Sequence, residues 1–186
     1  MRTGRARGLD ERRHAERFER VADDESGVEH LAVGDAALVV RDALESLEMT
    51  PLVKTTGSAG AHMYVPIVRG PTQKQVWTFA KALAQALAAK HPKLLTAEYR
   101  IDKRPAGRVL VDYNQNAWGR TLASIYSPRP KPQASVSTPL TWKEVEQGVK
   151  IEDFRIDNVP ARLKKLGDLW APLLAKRGRF DLARVM

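Results

Sequence analysis

Three stretches of this sequence carry residue types that could do chemistry. In "GRVLVDYN" (107–114) the apolar run Val109, Leu110, Val111 leads into Asp112. A carboxylate at the end of an apolar strand has two readings. It caps the following turn, or pairs with Arg108 or Lys103; or a rigid strand holds it as an oxygen ligand for a hard divalent cation, which then needs further carboxylates. In "KTTGSAGAHMYVPI" (54–67), Lys54, Thr56, Gly57, Gly60 and His62 flank one turn. Glycines let backbone N–H groups approach an anion, and a hydroxyl and an imidazole can each donate to phosphate oxygens. The alternative is a plain hairpin with a solvent-facing histidine. In "YSPRPKP" (126–132), Arg129 and Lys131 lie two apart on an extended segment, which puts both cations on one side, as phosphate gripping requires. A solvated basic loop has the same composition.

The elements that must position these groups follow from periodicity. Residues 35–47, "DAALVVRDALESL", have apolar side chains at helical spacing, with Gly34 and Asp35 as the cap and Pro51 beyond the end. "LVKTT" (52–56) and "AHMYVPIV" (61–68) are β-prone runs joined by "GSAG", which predicts a hairpin. Thr72 caps a long Ala-rich helix that ends at His91-Pro92. "LLTAEYRIDKR" reads as helix or strand. The run 107–114 predicts a buried strand and "TLASIYS" (121–127) another. "PRPKPQ" (128–133) predicts a stiff, extended linker. A short strand then precedes a helix capped by Thr141, "DFRI" reads as an edge strand, and a last helix carries Pro160 in its first turn. Strands alternating with helices, without internal repeats, leave one α/β or α+β domain. Residues 1–33 stand apart: their charge is mixed and their apolar residues too sparse to bury a face, so a short helix over about 9–21 and disorder are both open.

Composition narrows the function classes. The chain has 186 residues, enough for one domain with a core, and no cysteine, which removes disulfides and thiolate metal sites. No apolar run nears the roughly 20 residues that cross a bilayer, so no membrane partner is expected. The charged N-terminus has no apolar signal region, and the expected location is cytoplasmic, nucleoid-associated. The net charge of +9 attracts polyanions. Nucleic acid is the commonest of these, with Lys54, Lys103, Arg104 and Arg120 as candidate backbone contacts.

The series "KTTGSAGAHMYVPI", "GRVLVDYNQNAWG", "YSPRPKPQASVSTPLTW", "DFRIDNVPARL" resembles the polymerase domain of bacterial ligase D and its stand-alone relatives, in the archaeo-eukaryotic primase superfamily. The resemblance covers roughly residues 35–175 and implies a domain over 34–180 beside the atypical segment 1–33. It implies an α+β fold: a primase-polymerase architecture with a split, RRM-like, mixed or antiparallel sheet flanked by helices, incomplete at its N-terminal side. The implied activity is nucleotidyl transfer in DNA repair by non-homologous end joining, with Mn²⁺ or Mg²⁺ as cofactor. DNA ends and nucleoside triphosphates are the implied ligands, a DNA ligase and a Ku-type end-binding protein the implied partners. By resemblance, Asp112 is the third-motif carboxylate, catalytic and metal-binding. Thr56, Gly57, Gly60 and His62 form the second motif, which holds phosphates with Arg129 and Lys131. Thr56 stands where the family has serine, and Ala59 where it has lysine.

The first family motif, Asp-x-Asp-Pro before the helix at 35–47, is absent from this sequence. "VADDESG" (21–27) offers Asp23 and Glu25 at the i, i+2 spacing that shares one strand face, and these are the substitute metal ligands. Two-metal transfer needs several carboxylates, so Asp112 alone predicts impaired turnover. Three functions follow: a polymerase acting on DNA ends, a non-catalytic remnant that binds nucleotide or nucleic acid, and an interaction piece that needs a partner chain.

Overall fold

A computed structural model describes residues 28–186. The expectations for residues 9–21, and for Asp23 and Glu25, lie outside the described residues. Helix α1 (Val28–Ser46) organises the rest. Ala37 and Leu38 pack with Val53, Val136, Leu140 and Val145, whereas Ala32, Ala36 and Val39 pack with Leu87, Leu94 and Leu95. Leu44 joins a third cluster with Met49, Phe180 and Leu182. Small side chains on α1 let elements approach it from several sides at once. The helix starts before the expected cap, so Gly34 and Asp35 lie inside it and Asp35 is buried.

The sheet is in two pieces. Strands β1 (Leu52–Thr55) and β2 (Ala61–Tyr64) form the expected hairpin, and β5 (Pro139–Leu140) pairs with the other edge of β1, giving the antiparallel order β2-β1-β5. Strands β3 (Leu95–Thr96) and β4 (Val109–Leu110) form a separate parallel pair. Helix α1 touches both β2 and β4, so it ties the two pieces together. Helix α2 (Gln73–Lys90) begins with a capping box: the Thr72 hydroxyl accepts from Gln75 N, and the Gln75 side chain accepts from Thr72 N. It packs on β3 and on a 3-10 turn, Tyr113–Asn116. After β5, Thr141 and Glu144 make a second capping box at α3 (Trp142–Gln147). Helices α4 (Val159–Leu166) and α5 (Ala171–Leu174) follow. This is an α+β fold with a mixed sheet and flanking helices.

Several expectations need correction. The run 107–114 yields a two-residue strand that is half-buried, because its outer face lines an open groove instead of a core. Residues 121–127 form no strand. Residues 128–133 are not a linker: Pro128 bridges Val136, Arg129 N donates to Ser135 O, and Ala134 N donates to Lys131 O, so the basic segment closes on itself as a turn. "DFRI" contributes one bridge, Ser135 to Arg155, and no strand. The expected last helix breaks after Leu166, where Gly167 takes φ 72 and stops the helical hydrogen-bond ladder.

The polar run Ser135–Thr138 is buried, which sequence alone would place outside. Each hydroxyl finds a partner. Ser135 Oγ donates to Gly57 O at 2.6 Å, Ser137 Oγ to Thr55 O at 2.8 Å, and Thr138 Oγ1 to Val136 O at 2.9 Å. Ser137 N donates to Ser127 O and Tyr126 N to Ser137 O. This segment therefore stitches the end of β1 to the chain carrying Arg129, and satisfied hydroxyls make its burial affordable.

Candidate functional site

Cross-strand register places the first two functional side chains. Lys54 on β1 lies opposite His62 on β2, so both project from the same face of the hairpin. Lys54 is wholly buried. Its Nζ donates to Ser137 Oγ at 2.6 Å and to Ala123 O at 3.0 Å. The expectation that Lys54 contacts nucleic acid is therefore corrected: the ammonium is spent on holding the 121–124 segment and is closed off from solvent. Burial, reinforced by the Arg129 cation, lowers its pKa to about 8.

The glycine-rich turn also differs from a phosphate cradle. Thr56 Oγ1 accepts from the backbone N–H groups of Ser58, Ala59 and Gly60 at 3.1, 3.2 and 3.1 Å. Those donors point into their own turn and are not free for an anion, so Gly60 offers no N–H to a phosphate. With its lone pairs so engaged, the Thr56 hydroxyl keeps only its proton to give. Gly57 serves packing: its φ is 66°, and an added Cβ would lie 2.6 Å from Arg129 Cγ and 2.9 Å from Ser137 N. Gly57 thus seats the Arg129 side chain beside the hairpin.

What remains for an anion is a set of side-chain nitrogens. His62 Nδ1, Arg108 Nε and Arg129 Nε are buried without a hydrogen-bond partner among the described residues. Burial drives the His62 pKa down to about 4. The Lys54 and Arg129 cations push the same way and Asp112 opposes them, which places all four groups within electrostatic reach. The imidazole is neutral at pH 7. Arg108 was not among the expected site residues; an arginine opening a strand gives no signal until its nitrogen is seen without a partner.

Asp112 closes the site. Its Oδ1 accepts from Tyr99 Oη at 3.0 Å and Asn114 N at 3.0 Å, and its Oδ2 accepts from Gln115 Nε2 at 2.8 Å. The carboxylate caps the 3-10 turn and does not pair with Arg108 or Lys103. Burial raises the Tyr99 pKa, and the hydrogen bond to Asp112 adds to it. Among the described residues, no group of three His, Cys, Asp or Glu side chains could hold a metal ion. Asp112, alone and already accepting three hydrogen bonds, does not fit a divalent cation by itself.

Asp112, His62, Thr56 and Arg108 all line one groove of about 760 Å³. Much of the remaining wall is apolar, with Ala36 and Val40 from α1, Phe79 and Leu83 from α2, and Val109 from β4, while Gln115 and Asn116 add polar groups. Its volume lies within the roughly 300–1,000 Å³ of small-molecule sites. Of the other expected contacts, Lys131 is exposed at the tip of the 128–134 turn, Arg120 is exposed near Tyr99, Lys103 is exposed, and Arg104 is half-buried with its guanidinium donating to Glu98 O and Tyr99 O.

This hairpin, with its half-buried histidine, strand-end aspartate and stitched arginine turn, coincides with a known family. The family model "LigD, primase-polymerase domain" matches residues 22–170. The chain belongs to the LigD primase-polymerase family. It is 34% identical over 151 residues to the multifunctional non-homologous end joining protein LigD of Mycolicibacterium smegmatis, covering 81% of this chain and 20% of that protein. It is 31% identical over 146 residues to the bifunctional LigD of Bacillus subtilis, covering 78% of this chain and 24% of that protein. Among solved structures, it is similar to the polymerase domain of Mycobacterium tuberculosis ligase D in complex with DNA. The TM-score is 0.75 at 31% identity, over 81% of this chain and 52% of that one. The chain thus spans about a fifth to a quarter of the length of these curated relatives, and about half of that solved chain. The matched region, residues 22–170, holds both pieces of the sheet.

Proposed function

We propose that this chain is a nucleotide- and DNA-binding primase-polymerase domain of the end-joining type, in which template-directed nucleotidyl transfer is impaired. The observation that carries the binding part is that His62 and Arg108, each with a buried nitrogen lacking a partner among the described residues, line one groove with Asp112, while Arg129, whose Nε also lacks one, lies within electrostatic reach of His62. Unpaired buried donors are costly, and an anion that accepts from them removes that cost. A triphosphate is the anion that kinship with ligase D polymerase domains supplies. Lys131, at the tip of the turn that Arg129 anchors, extends the same electropositive surface. Kinship also proposes DNA ends as the second ligand, a DNA ligase and a Ku-type end-binding protein as partners, and Mn²⁺ or Mg²⁺ as the ion of the parent reaction.

The impairment rests on the carboxylates. Phosphoryl transfer by this chemistry depends on ions held between several oxygen ligands. The described residues offer Asp112 alone, and the proposed Asp23 and Glu25 replace an Asp-x-Asp whose proline is also missing. The residues in and beside the groove bind and orient: neutral His62 donates from one ring nitrogen, Arg108 in the groove and Arg129 beside the hairpin neutralise phosphate charge, and the apolar part of the wall excludes water from the base. Primer extension on an overhanging DNA with ribonucleotides and Mn²⁺, beside equilibrium binding of ATP, tests the reading. The expected result is binding that weakens in Arg129→Ala, with extension absent or lower by orders of magnitude than a complete polymerase site gives. Rapid extension abolished by Asp112→Ala would overturn the impairment, and no binding of either ligand would overturn the whole proposal.

A further inference from the structure

Four tryptophans occur in the chain, and three are accounted for by packing. Trp170 is buried, Trp77 donates its indole N–H to Asn114 Oδ1, and Trp142 donates to Pro51 O. Trp118 is 89% exposed. Leaving an indole in water forgoes the burial that drives folding, so the ring contributes little to stability where it stands.

Its setting is rigid and close to the site. Residues 117–120 form a tight turn closed by Arg120 N donating to Ala117 O, with Gly119 at φ 75 supplying the left-handed third position. The turn follows directly on the 3-10 segment that Asp112 caps. That segment is clamped to α2: Gln73 Nε2 donates to Asn116 O, Trp77 bonds Asn114, and the rings of Trp77 and Tyr113 meet edge to face at 5.7 Å. Asn116 and Leu122, on either side of the turn, both line the groove, so Trp118 sits on its rim. Arg120, two residues on, is exposed and near enough to Tyr99 to bear on its hydroxyl, which bonds Asp112.

We infer that Trp118 is a stacking platform for an unpaired base of a nucleic-acid overhang, with Arg120 holding the adjoining phosphate, at the rim of the groove that Asp112 lines. The inference rests on the DNA-binding reading above and deepens it to a site. An exposed aromatic face next to a cation is the pairing that single strands use, because every base has a π-face and every nucleotide a phosphate. The occupant is a strand and not the base of a free nucleotide: the ring is exposed and is not part of the groove's lining, so a chain passing over the rim would meet it.

The test is anisotropy titration of two labelled DNAs, a blunt duplex and the same duplex with a single-stranded overhang, against wild type, Trp118→Ala, Trp118→Gln and Trp118→Phe. An overhang of abasic residues, which keeps the phosphates and removes the bases, completes the set. Both non-aromatic variants are expected to weaken overhang binding about tenfold. Blunt-duplex binding should stay within about twofold, and Trp118→Phe should recover most of the loss. Wild type should bind the abasic overhang about as weakly as Trp118→Ala binds the intact one, which a merely structural role for the ring would not produce. Unchanged overhang affinity in Trp118→Ala and Trp118→Gln overturns the inference. So does equal loss on both DNAs, or a loss confined to ATP binding. If wild type binds neither DNA, the DNA-binding reading itself fails and this inference with it.

Discussion

An alanine at position 57 adds one methyl group at the point where the hairpin, the 135–138 segment and the Arg129 side chain meet. Gly57 has φ 66°, and an L-residue held there costs about 1–2 kcal/mol. The methyl would lie 2.6 Å from Arg129 Cγ, 2.9 Å from Ser137 N and 3.0 Å from Val136 C. Arg129 can swing aside, but the backbone cannot follow cheaply: Val136 N donates to Phe154 O at 2.8 Å and Ser137 N to Ser127 O at 2.9 Å. Overpacking against such a segment adds about 1–3 kcal/mol, so Gly57→Ala should lose about 2–5 kcal/mol in urea denaturation. Gly60, three residues on, supplies the control. Its φ is not left-handed, and an added Cβ would meet nothing closer than Thr56 Cγ2 at 3.9 Å. Gly60→Ala should therefore change stability by no more than about 1 kcal/mol, in either direction. Displacing Arg129 should also weaken binding of inorganic triphosphate to Gly57→Ala but not to Gly60→Ala. A Gly57→Ala protein within about 0.5 kcal/mol of wild type, or two variants of equal cost, would refute the reasoning.

Lys54→Met removes a buried cation at similar volume but leaves Ala123 O without its donor, so stability should fall by about 1–3 kcal/mol. Because the Lys54 charge helps to hold the His62 pKa down, NMR titration of the imidazole should then show a higher value. An unmoved value contradicts the electrostatic account. The folded His62 has a pKa of about 4, against about 6.5 when unfolded, so between those values the unfolded chain binds a proton that the folded one refuses. Stability from this group is complete above pH 6.5 and is lost as pH falls towards 4; His62→Gln should flatten the decline seen in urea melts at pH 7, 5 and 4. Arg162 forks onto the Glu144 carboxylate and also donates to Pro139 O at 3.1 Å, with both side chains about four-fifths buried. Arg162→Ala leaves that carboxylate with only its Thr141 donors and should cost about 2–3 kcal/mol; a loss under 1 kcal/mol would show that water replaces the guanidinium.

Much of the fold was legible where the signal is local. The hairpin of 52–64 followed from two β-prone runs around a Gly-Ser turn, and α2 from Thr72, an apolar stripe and His91-Pro92. The misreadings fall where a residue's fate depends on distant neighbours. "TLASIYS" alternates like a strand, yet its backbone spends Ala123 O on the Lys54 ammonium and Tyr126 N on Ser137 O instead of a ladder. "PRPKPQ" is stiff as a sequence, but Pro128 and Arg129 find bridging partners in Val136 and Ser135, which turns a spacer into a closed loop. Of the proposed site, His62 and Asp112 in the groove and Arg129 beside the hairpin are the residues that type and spacing singled out. Arg108 and Trp118 were not: one gave no signal without its buried neighbours, and the other stands out only because three other tryptophans are packed.

The sequence by itself determined the local elements, the basic character and the residues through which the family resemblance runs, since propensity, periodicity and charge are properties of neighbours along the chain. Only the tertiary structure decided what each group is free to do. Lys54 has the type of a phosphate ligand, but burial between β1 and residues 123 and 137 makes it a tether. The Gly-rich turn has the composition of an anion cradle, but one threonine oxygen takes up its N–H groups. His62 has the ordinary pKa of a switch, but burial, helped by the Lys54 and Arg129 cations against Asp112, keeps it neutral. Desolvation and hydrogen-bond competition act through space, and they act between segments that lie more than sixty residues apart along the chain, as Lys54 and Ala123 do.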